Sequence, residues 1–241
     1  MEQLYIVKNI HKADIIGDIH GCYEQLVQLL QKLGYEISEQ GLIANPIEDR
    51  KLIFLGDLSD RGPDRIKVLK LVMDAVERGI AISARGNHDD KLFSKLSRNK
   101  EAKGELLKTI QEIDEQGEAF RKRLIAFLDS MPYQIIIDND NVVIAHGGMK
   151  EELQGESSNR MKAFAIYGDP TGEFDEHNRP IHNDWVADYH GERTVVYGHI
   201  ITEKAEWRNN TIDIDTGCYQ TGILTALQWP EKALVDTKEL N

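Results

Sequence analysis

Residues 51–64 read KLIFLGDLSDRGPD, a short apolar run that leads directly into a loop rich in acidic side chains. The loop brings Asp57, Asp60 and Asp64 close to Arg61. Carboxylates held this near to one another cost free energy unless something cationic joins them. An apolar run of this kind predicts a buried strand, and its polar end predicts a site. The same pattern recurs along the chain and decides the fold class.

The order of strand, loop and helix occurs three times in the first part of the chain. Residues 13–16 (ADII), 51–55 (KLIFL) and 80–84 (IAISA) are apolar runs typical of buried strands. After the first loop, helical spacing separates Leu26 and Leu30. After the second loop, it separates Ile66, Leu69 and Met73. Strands that alternate with helices predict an α/β fold with right-handed crossovers.

Residues 92–130 are rich in Lys, Glu and Gln, with apolar residues at helical spacing. They predict two or three amphipathic helices, which form either a helical side layer or a lid over the site. The chain contains no internal repeat and no Pro/Ser-rich linker. We therefore expect residues 1–241 to form a single domain.

The second half is richer in strand signals. Residues 133–137 and 142–145 flank the turn DNDN and predict a hairpin. Apolar runs at 194–197, 211–215 and 223–229 predict further strands. The intervening region, 150–193, is expected to be irregular.

The composition excludes several classes of protein. A net charge of −12 argues against a general nucleic-acid binder, which normally carries a basic face. No apolar run approaches the roughly 18 residues of a membrane span, and the N-terminal residues do not resemble an export signal. Cys22 and Cys218 are interpreted as reduced thiols. We expect a soluble cytoplasmic protein, whose oligomeric state the sequence leaves open.

Residues of the metal-ligand type follow five of the predicted strands. They are Asp18, His20, Asp57, Asn87, His146 and His199. Loops that leave the carboxyl ends of strands in an open α/β sheet meet in one crevice. Carboxylate, imidazole and amide groups without thiolates suit divalent cations. Six ligands are too many for one tetrahedral ion, but they suit two ions that share a bridging Asp57.

Five short motifs together resemble the calcineurin-like metallophosphoesterases, particularly the phosphoprotein-phosphatase branch. The motifs are GDIHG (17–21), GDLSDRG (56–62), GNHD (86–89), HGG (146–148) and GH (198–199). The resemblance implies a four-layer α/β/β/α sandwich with two mixed β-sheets. It also implies two divalent metal ions, usually Mn²⁺, with Ni²⁺, Co²⁺, Fe or Zn²⁺ as alternatives.

The same resemblance implies roles for the metal ligands. Asp18 and His20 hold the first ion and Asp57 bridges the pair. Asn87, His146 and His199 complete the second site, with Asn87 also near the substrate.

The resemblance further implies an acid and a phosphate clamp. Arg61 grips phosphate oxygens with its planar fork. His88 is the general acid for the leaving oxygen, and Asp60 orients its imidazole and keeps it cationic. Asp215 matches an acidic position that lines the site in polynucleotide phosphatases, although an ordinary strand end explains it equally well.

Motifs in the third quarter are similar to the bacterial PrpE-type bis(5′-nucleosyl)-tetraphosphatases of the asymmetrical kind. They are YGDPTGE (167–173), RPIHNDW (179–185), VVYGH (195–199) and IDIDTGC (212–218). They also resemble the phosphatase domain of bacterial polynucleotide kinase-phosphatase. The first resemblance implies hydrolysis of dinucleoside tetraphosphates to a nucleoside triphosphate and a monophosphate.

Several alternatives stay open at this point. The substrate is otherwise a phosphoprotein with phosphorylated Ser, Thr or Tyr, or an RNA end that carries a 2′,3′-cyclic phosphate. A binding protein that has lost catalysis would lack a ligand or the acid, and every matched position is intact. A second phosphate-binding arginine falls among Arg160, Arg179 and Arg193 without a clear match. Candidate residues for a nucleobase pocket are Tyr167, Trp185 and Tyr219, although aromatic residues of this kind more often belong to the core. We interpret His11, His177, His182 and His190 as non-ligands.

Overall fold

The computed structural model describes residues 5–7, 9–45, 47, 49–177 and 179–238. The ends of the expected single domain, 1–4 and 239–241, therefore lie outside the described residues. The strands, in chain order, are β1 (Tyr5–Val7), β2 (Ala13–Ile16), β3 (Glu36–Ile37), β4 (Ile43–Asn45), β5 (Lys51–Phe54), β6 (Ala81–Ser83), β7 (Gln134–Ile137), β8 (Val142–Ile144), β9 (Pro170–Phe174), β10 (Pro180–His182), β11 (Thr194–Tyr197), β12 (Trp207–Arg208), β13 (Thr211–Asp213), β14 (Thr225–Trp229) and β15 (Ala233–Asp236). The α-helices are α1 (Tyr23–Lys32), α2 (Arg65–Glu77), α3 (Asn87–Ser97), α4 (Gly104–Glu115), α5 (Glu118–Ser130), α6 (Asn159–Tyr167) and α7 (Cys218–Thr221), with a 3₁₀ turn at Glu151–Leu153.

Two mixed sheets form the centre of the protein. The first has the order β15-β14-β2-β5-β6, in which β2, β5 and β6 are parallel and β14 is antiparallel to both of its neighbours. The second has the order β1-β7-β8-β11-β13-β12, in which β8, β11 and β13 are parallel. Two small hairpins, β3-β4 and β9-β10, stand apart from both sheets.

Alternating side chains of each strand divide the core into layers. In β5, Ile53 faces the second sheet, whereas Leu52 and Phe54 face the helices of the first half. In β7, Ile135 joins the core between the sheets, whereas Ile136 packs towards α6. The resulting order is helix, sheet, sheet, helix. The predicted α/β/β/α sandwich with two mixed sheets is confirmed.

Helices α4 and α5 pack against α2 and α3. Ile113, Leu124 and Leu128 from these helices are fully buried in the same core as α2. None of the described residues that line the cavity of the candidate site belongs to 92–130, and the choice between a side layer and a lid stays a prediction. The assignment of all 241 residues to one domain stays a prediction.

The region 150–193 is more regular than expected. Helix α6 begins after Ser158, whose Oγ accepts a hydrogen bond from the backbone N–H of Met161 at 3.1 Å. This side chain satisfies one of the free N–H groups of the first helical turn. Hairpin β9-β10 follows directly, so the prediction of an irregular segment was wrong. Within the described chain, no helix is both long and apolar enough to cross a membrane.

Candidate active site

The predicted ligands converge because backbone hydrogen bonds join the loops that carry them. The N–H of His20 donates to the carbonyl of Asp57 at 2.8 Å, which links the loops after β2 and β5. The N–H of Gly198 donates to the carbonyl of His146, also at 2.8 Å, which links the loops after β8 and β11. The carboxyl ends of strands from both sheets thus face one crevice, as the sequence predicted.

Five residues of the site have left-handed backbone conformations, which non-glycine residues rarely adopt. They are His20 (φ 47°), Asp57 (φ 48°), Asp60 (φ 66°), Arg61 (φ 56°) and His199 (φ 75°). Such conformations cost about 1–3 kcal/mol each and persist only where the surrounding structure imposes them. The loops are therefore shaped to present their side chains, and not merely to connect strands.

Two glycines allow the backbone to pass close to the ligands. A Cβ on Gly86 would lie 2.1 Å from Oδ1 of Asp57, and a Cβ on Gly198 would lie 2.4 Å from Oδ1 of Asp18. No side chain fits at either distance. The glycines of GNHD and GH are thus required by the packing of the site.

The first group of candidate ligands is Asp18, His20 and Asp57. One ligand atom from each lies within 4.8 Å of the other two, and Nε2 of His20 is 3.4 Å from Oδ2 of Asp57. All three side chains are almost completely buried. The spacing suits a single ion coordinated by two carboxylates and an imidazole.

A second group surrounds the other side of Asp57. Its Oδ2 lies 3.5 Å from Nε2 of His146, which in turn lies 3.2 Å from Oδ1 of Asn87 and 3.2 Å from Nδ1 of His199. One oxygen of Asp57 therefore stands between His20 and His146. This is the position that a bridging carboxylate requires.

The protonation states of Asp18, His146 and His199 fit divalent cations. Oδ1 of Asp18 is buried without a hydrogen-bond partner among the described residues. Burial, and then the charges of Asp215 and Asp57, raise the pKa of Asp18 well above its usual value. An anionic Asp18 thus needs a cation beside it. Burial lowers the pKa of His146 to about 4 and that of His199 to about 3, which leaves both rings neutral and able to coordinate metal.

Asp57 differs from Asp18 in the charged groups that surround it. Burial alone would raise the pKa of Asp57, but His146, His88 and His20 outweigh this effect and lower it. Asp57 is consequently ionised over the physiological pH range. The carboxylate at the junction of the two ligand groups is the anion that a pair of cations needs.

Asp60 contacts two histidines at once. Its Oδ2 accepts a hydrogen bond from Nδ1 of His88 at 2.5 Å, and its Oδ1 accepts one from Nδ1 of His20 at 3.1 Å. These bonds oppose the effect of burial and lower the pKa of Asp60 to about 2. Ligand atoms of the three side chains also lie within 4.8 Å of one another, but both rings already direct their Nδ1 at the carboxylate. The contact with His20 was not anticipated from the sequence.

Arg61 lies against His88. Its Nη2 donates to Nε2 of His88 at 3.1 Å, and its guanidinium lies 4.6 Å from the ring centroid of Tyr219 while also donating to the hydroxyl of that residue. Because arginine can only donate, Nε2 of His88 is an acceptor here and Nδ1 carries the proton.

Asp89 joins the loops that carry the candidate ligands Asp57 and Asn87, and sequence reasoning missed this role. Its carboxylate accepts hydrogen bonds from the backbone N–H groups of Asp57 (2.7 Å), Gly86 (3.0 Å) and Leu58 (3.2 Å). The side chain is 1% exposed. An acidic residue in the first turn of α3, three positions after Gly86, is the sequence signal for this contact.

Asp215 lies in the crevice together with the ligands. It is 3% exposed, and its Oδ1 accepts a hydrogen bond from the N–H of Gly217 at 2.9 Å. A Cβ on Gly198 would lie 3.2 Å from Cβ of Asp215, so the residue stands beside Asp18. The structure therefore places Asp215 with the ligands, while its function stays a prediction.

The arginines between the last two histidines lie in different surroundings. Arg160 pairs with Glu152 at 2.8 Å, and Nε of Arg193 donates to the carbonyl of Asp140 at 2.8 Å. Arg179 lines the cavity that contains the metal ligands. Its Nε donates to Oδ2 of Asp175 at 2.8 Å, so Arg179 is also paired, but of the three it alone lines this cavity.

A cavity of about 730 Å³, called the cleft below, opens from the ligand groups to solvent. His182, interpreted as a non-ligand, lines this cleft with its ring centroid 5.6 Å from that of His199. Trp185 packs in the core against Phe164 and Tyr189, which is the alternative that the sequence left open for it.

Comparison with known proteins agrees with this geometry. The family model of calcineurin-like phosphoesterases matches residues 11–214. The bis(5′-nucleosyl)-tetraphosphatase PrpE [asymmetrical] of Oceanobacillus iheyensis is 42% identical over 229 residues, which cover 93% of this chain and 91% of the relative. The enzyme of the same name from Bacillus subtilis is 40% identical and covers 90% and 91% of the two chains.

Solved structures with less than 25% identity support the fold alone. One, provisionally described as a diadenosine tetraphosphatase, superposes with a TM-score of 0.70 at 22% identity over 99% of both chains. A protein serine/threonine phosphatase from Saccharomyces cerevisiae superposes with a TM-score of 0.64 at 13% identity, covering 100% of this chain and 84% of that one. The match to the family model spans most of the sequence, and the chain belongs to the calcineurin-like phosphoesterases.

Proposed function

We propose that this protein is a metal-dependent phosphohydrolase with two divalent cations in the cleft. The observation that carries the proposal is the position of Asp57 Oδ2, 3.4 Å from His20 Nε2 and 3.5 Å from His146 Nε2. Asp18 and His20 would hold one ion and Asn87, His146 and His199 the other, with Asp57 available to both. When bound, such ions polarise phosphoryl oxygens and lower the pKa of water.

The identity of the ions is part of the proposal. The donor set contains oxygen and imidazole nitrogen without sulfur, which accommodates Mn²⁺ and is less suited to soft ions. We propose Mn²⁺ as the preferred metal, as the resemblance to the metallophosphoesterases implies. We also propose a cytoplasmic location, for which two cysteines without a disulfide, Cys22 and Cys218, are typical. Metal analysis of protein purified from its native host would show manganese at two ions per chain; a single zinc ion would contradict this assignment.

His88 acts as the general acid in this proposal, with Asp60 as its positioning residue. The 2.5 Å hydrogen bond fixes the ring so that Nε2 faces the cleft, and the Asp60 carboxylate stabilises the imidazolium. Transfer of a proton from Nε2 to the leaving oxygen accelerates the reaction most when that oxygen is strongly basic.

Arg61 controls the availability of Nε2. In the structure this nitrogen accepts the hydrogen bond from Arg61. A phosphate in the cleft attracts the guanidinium more strongly than a neutral imidazole does, because the hydrogen bonds to phosphate are charge-assisted. Arg61 therefore turns towards the phosphate and frees Nε2 to take up a proton. Arg179, which lines the cleft and is paired with Asp175 at 2.8 Å, exchanges that carboxylate for a second phosphate contact.

The substrate we propose is a dinucleoside tetraphosphate that is cut asymmetrically. Relatives of about 40% identity that carry this activity in their name align with about nine-tenths of the chain. The cleft is also large enough for a ligand of this class, since small-molecule sites occupy about 300–1,000 Å³.

Product analysis tests the substrate directly. Diadenosine tetraphosphate incubated with the Mn²⁺-loaded protein is expected to give ATP and AMP on anion-exchange chromatography. Two molecules of ADP would exclude the asymmetrical cut. Faster turnover of a phosphopeptide or of a 2′,3′-cyclic phosphate than of any dinucleotide would assign the cleft to a different substrate.

A further inference from the structure

The outer part of the cleft is apolar, in contrast to the metal-ligand groups at its base. Phe174, at the end of β9, is 60% exposed, and Ile200 and Ile201, which follow His199, are each 40% exposed. All three line the cleft. They are called the apolar wall below.

The apolar wall concentrates exposed hydrophobic side chains in one place. Among the described residues, the large hydrophobic side chains with the greatest exposure are Leu107, Tyr167, Phe174, Ile181, Ile200, Ile201, Trp207 and Leu234. Tyr167 and the three residues of the wall all line the cleft. Single exposed apolar residues are ordinary, but a cluster of them inside a concave site marks a surface that binds a ligand.

Hairpin β9-β10 holds Phe174 in this position. The hairpin is hydrogen-bonded to neither main sheet, and Phe174 lies opposite Pro180 in its register. Its base is fixed by Asp169, whose side chain pairs with Lys150 at 2.6 Å and whose carbonyl accepts from the N–H of Asn183 at 2.8 Å. Phe174 is thus carried on a projecting arm whose root lies beside the metal-ligand groups.

The charges around the cleft give a ligand a direction. Arg61 lies at the metal end. Beside Phe174, the carboxylate of Asp175 is paired with Arg179 at 2.8 Å, and Glu173 leaves that end of the cleft with a net negative charge. Carboxylates repel phosphates but accept hydrogen bonds from ring amino groups. A ligand with a polyphosphate end and an uncharged heteroaromatic end therefore fits in one orientation, with its phosphates at the metals and its ring at the wall.

We propose that the apolar wall is a nucleoside-binding subsite, in which Phe174 stacks on the nucleobase while Ile200 and Ile201 contact its other side. The inference rests on the proposed function, since it names the part of the substrate that this surface holds. Stacking on a single phenyl ring accepts any base, because every base has an aromatic face. The enzyme accordingly recognises dinucleotides by the presence of a nucleobase and not by its identity.

Binding of a matched pair of non-hydrolysable ligands tests the subsite without turnover. Adenosine 5′-(α,β-methylene)diphosphate and methylenediphosphonate share the same phosphonate group, and only the first contains a nucleoside. Calorimetric titration of the Mn²⁺-loaded protein is expected to show tighter binding of the nucleotide. Phe174→Ala should reduce this preference by about 5- to 100-fold, in line with the loss of one stacked base.

Two further variants separate stacking from general damage. Phe174→Tyr retains the aromatic face and should retain the preference. Leu234→Ala removes a similarly exposed apolar side chain, 41% exposed on β15 and outside the lining of the cleft, and should leave the preference unchanged.

The possible results distinguish the subsite from the activity. The subsite is refuted if the wild-type protein binds both ligands equally, or if Phe174→Ala keeps the full preference. It is also refuted if Phe174→Ala weakens the binding of a phosphopeptide more than it weakens the binding of the nucleotide. Loss of the preference in a protein that cannot cut diadenosine tetraphosphate would support the subsite and contradict the proposed substrate.

Discussion

Removal of the general acid should slow hydrolysis in proportion to the basicity of the leaving group. We expect His88→Ala to slow alkyl phosphates by about 10²–10⁴-fold and p-nitrophenyl phosphate far less, because p-nitrophenolate leaves without a proton. The assay is kcat/KM for a series of aryl and alkyl phosphate monoesters with saturating Mn²⁺. His190→Ala, which removes an exposed histidine outside the site, serves as the control.

The geometry also fixes the size of the effect at Asp60. Asn has a single acceptor oxygen, so Asp60→Asn cannot accept from both His88 and His20, which now bond to different oxygens at 2.5 and 3.1 Å. Loss of one hydrogen bond to a charged group costs about 1.5–3 kcal/mol, or about 10- to 150-fold in the rate with alkyl phosphates.

The double variant tests whether the two residues act as one unit. If Asp60 acts through His88, Asp60→Asn adds little to the effect of His88→Ala, since the partner is already missing. Metal content measured in parallel detects any change transmitted through His20. Equal slowing of all esters by His88→Ala would refute the acid role, and fully multiplicative effects in the double variant would refute the coupling.

Three more predictions concern the metals, the loops and the phosphate. Asp57→Asn should lower metal content below two ions per chain and abolish turnover; full loading by plasma emission spectrometry would show that the bridging role is misassigned. Asp89→Asn places an amide N–H against the backbone N–H of Leu58 and should lower the free energy of unfolding by about 1–3 kcal/mol in urea titration, whereas unchanged stability would argue against the clamp. Arg179→Ala should raise KM for diadenosine tetraphosphate by about tenfold if one charge-assisted contact is lost, with Arg160→Ala as the matched surface control, and equal KM values would exclude the contact.

The central strands could be predicted because their side chains are buried on both faces. The runs predicted at 13–16 and 51–55 correspond to Ala13–Ile16 and Lys51–Phe54, and the hairpin predicted at 133–145 corresponds to Gln134–Ile137 and Val142–Ile144. Buried strands must be apolar, and the polar loops at their ends contrast sharply with them.

The hairpin β9-β10 could not be predicted in this way. All five residues of β9 are exposed, so the strand carries no apolar alternation that reveals its period. Its form depends on pairing with β10 and on the anchor at Asp169, which are tertiary contacts. The apolar wall was missed for the same reason, since Phe174 and Ile200 come together only in the folded chain.

Hydrogen-bond partners of the site were only partly accessible from the sequence. The motif spacing suggested that Asp60 meets His88, but it gave no indication that Asp60 also bonds His20. The clamp formed by Asp89 joins two loops that are far apart in the sequence, since its partner Asp57 lies 32 positions earlier. Contacts of this kind depend on how loops are stacked, which local pattern does not encode.

The left-handed backbone at five positions of the site limits which amino acids could ever replace the present ones. Val, Ile and Thr are disfavoured there because their branched side chains collide with the main chain at positive φ, whereas glycine tolerates it freely and Asp, Asn and His tolerate it best among the other residues. A library that diversifies His20, Asp57 or His199 would thus return few folded clones outside that small group. Attempts to retune this pocket for another cation will find more freedom at Asp18 and Asn87, whose torsion angles impose no such restriction.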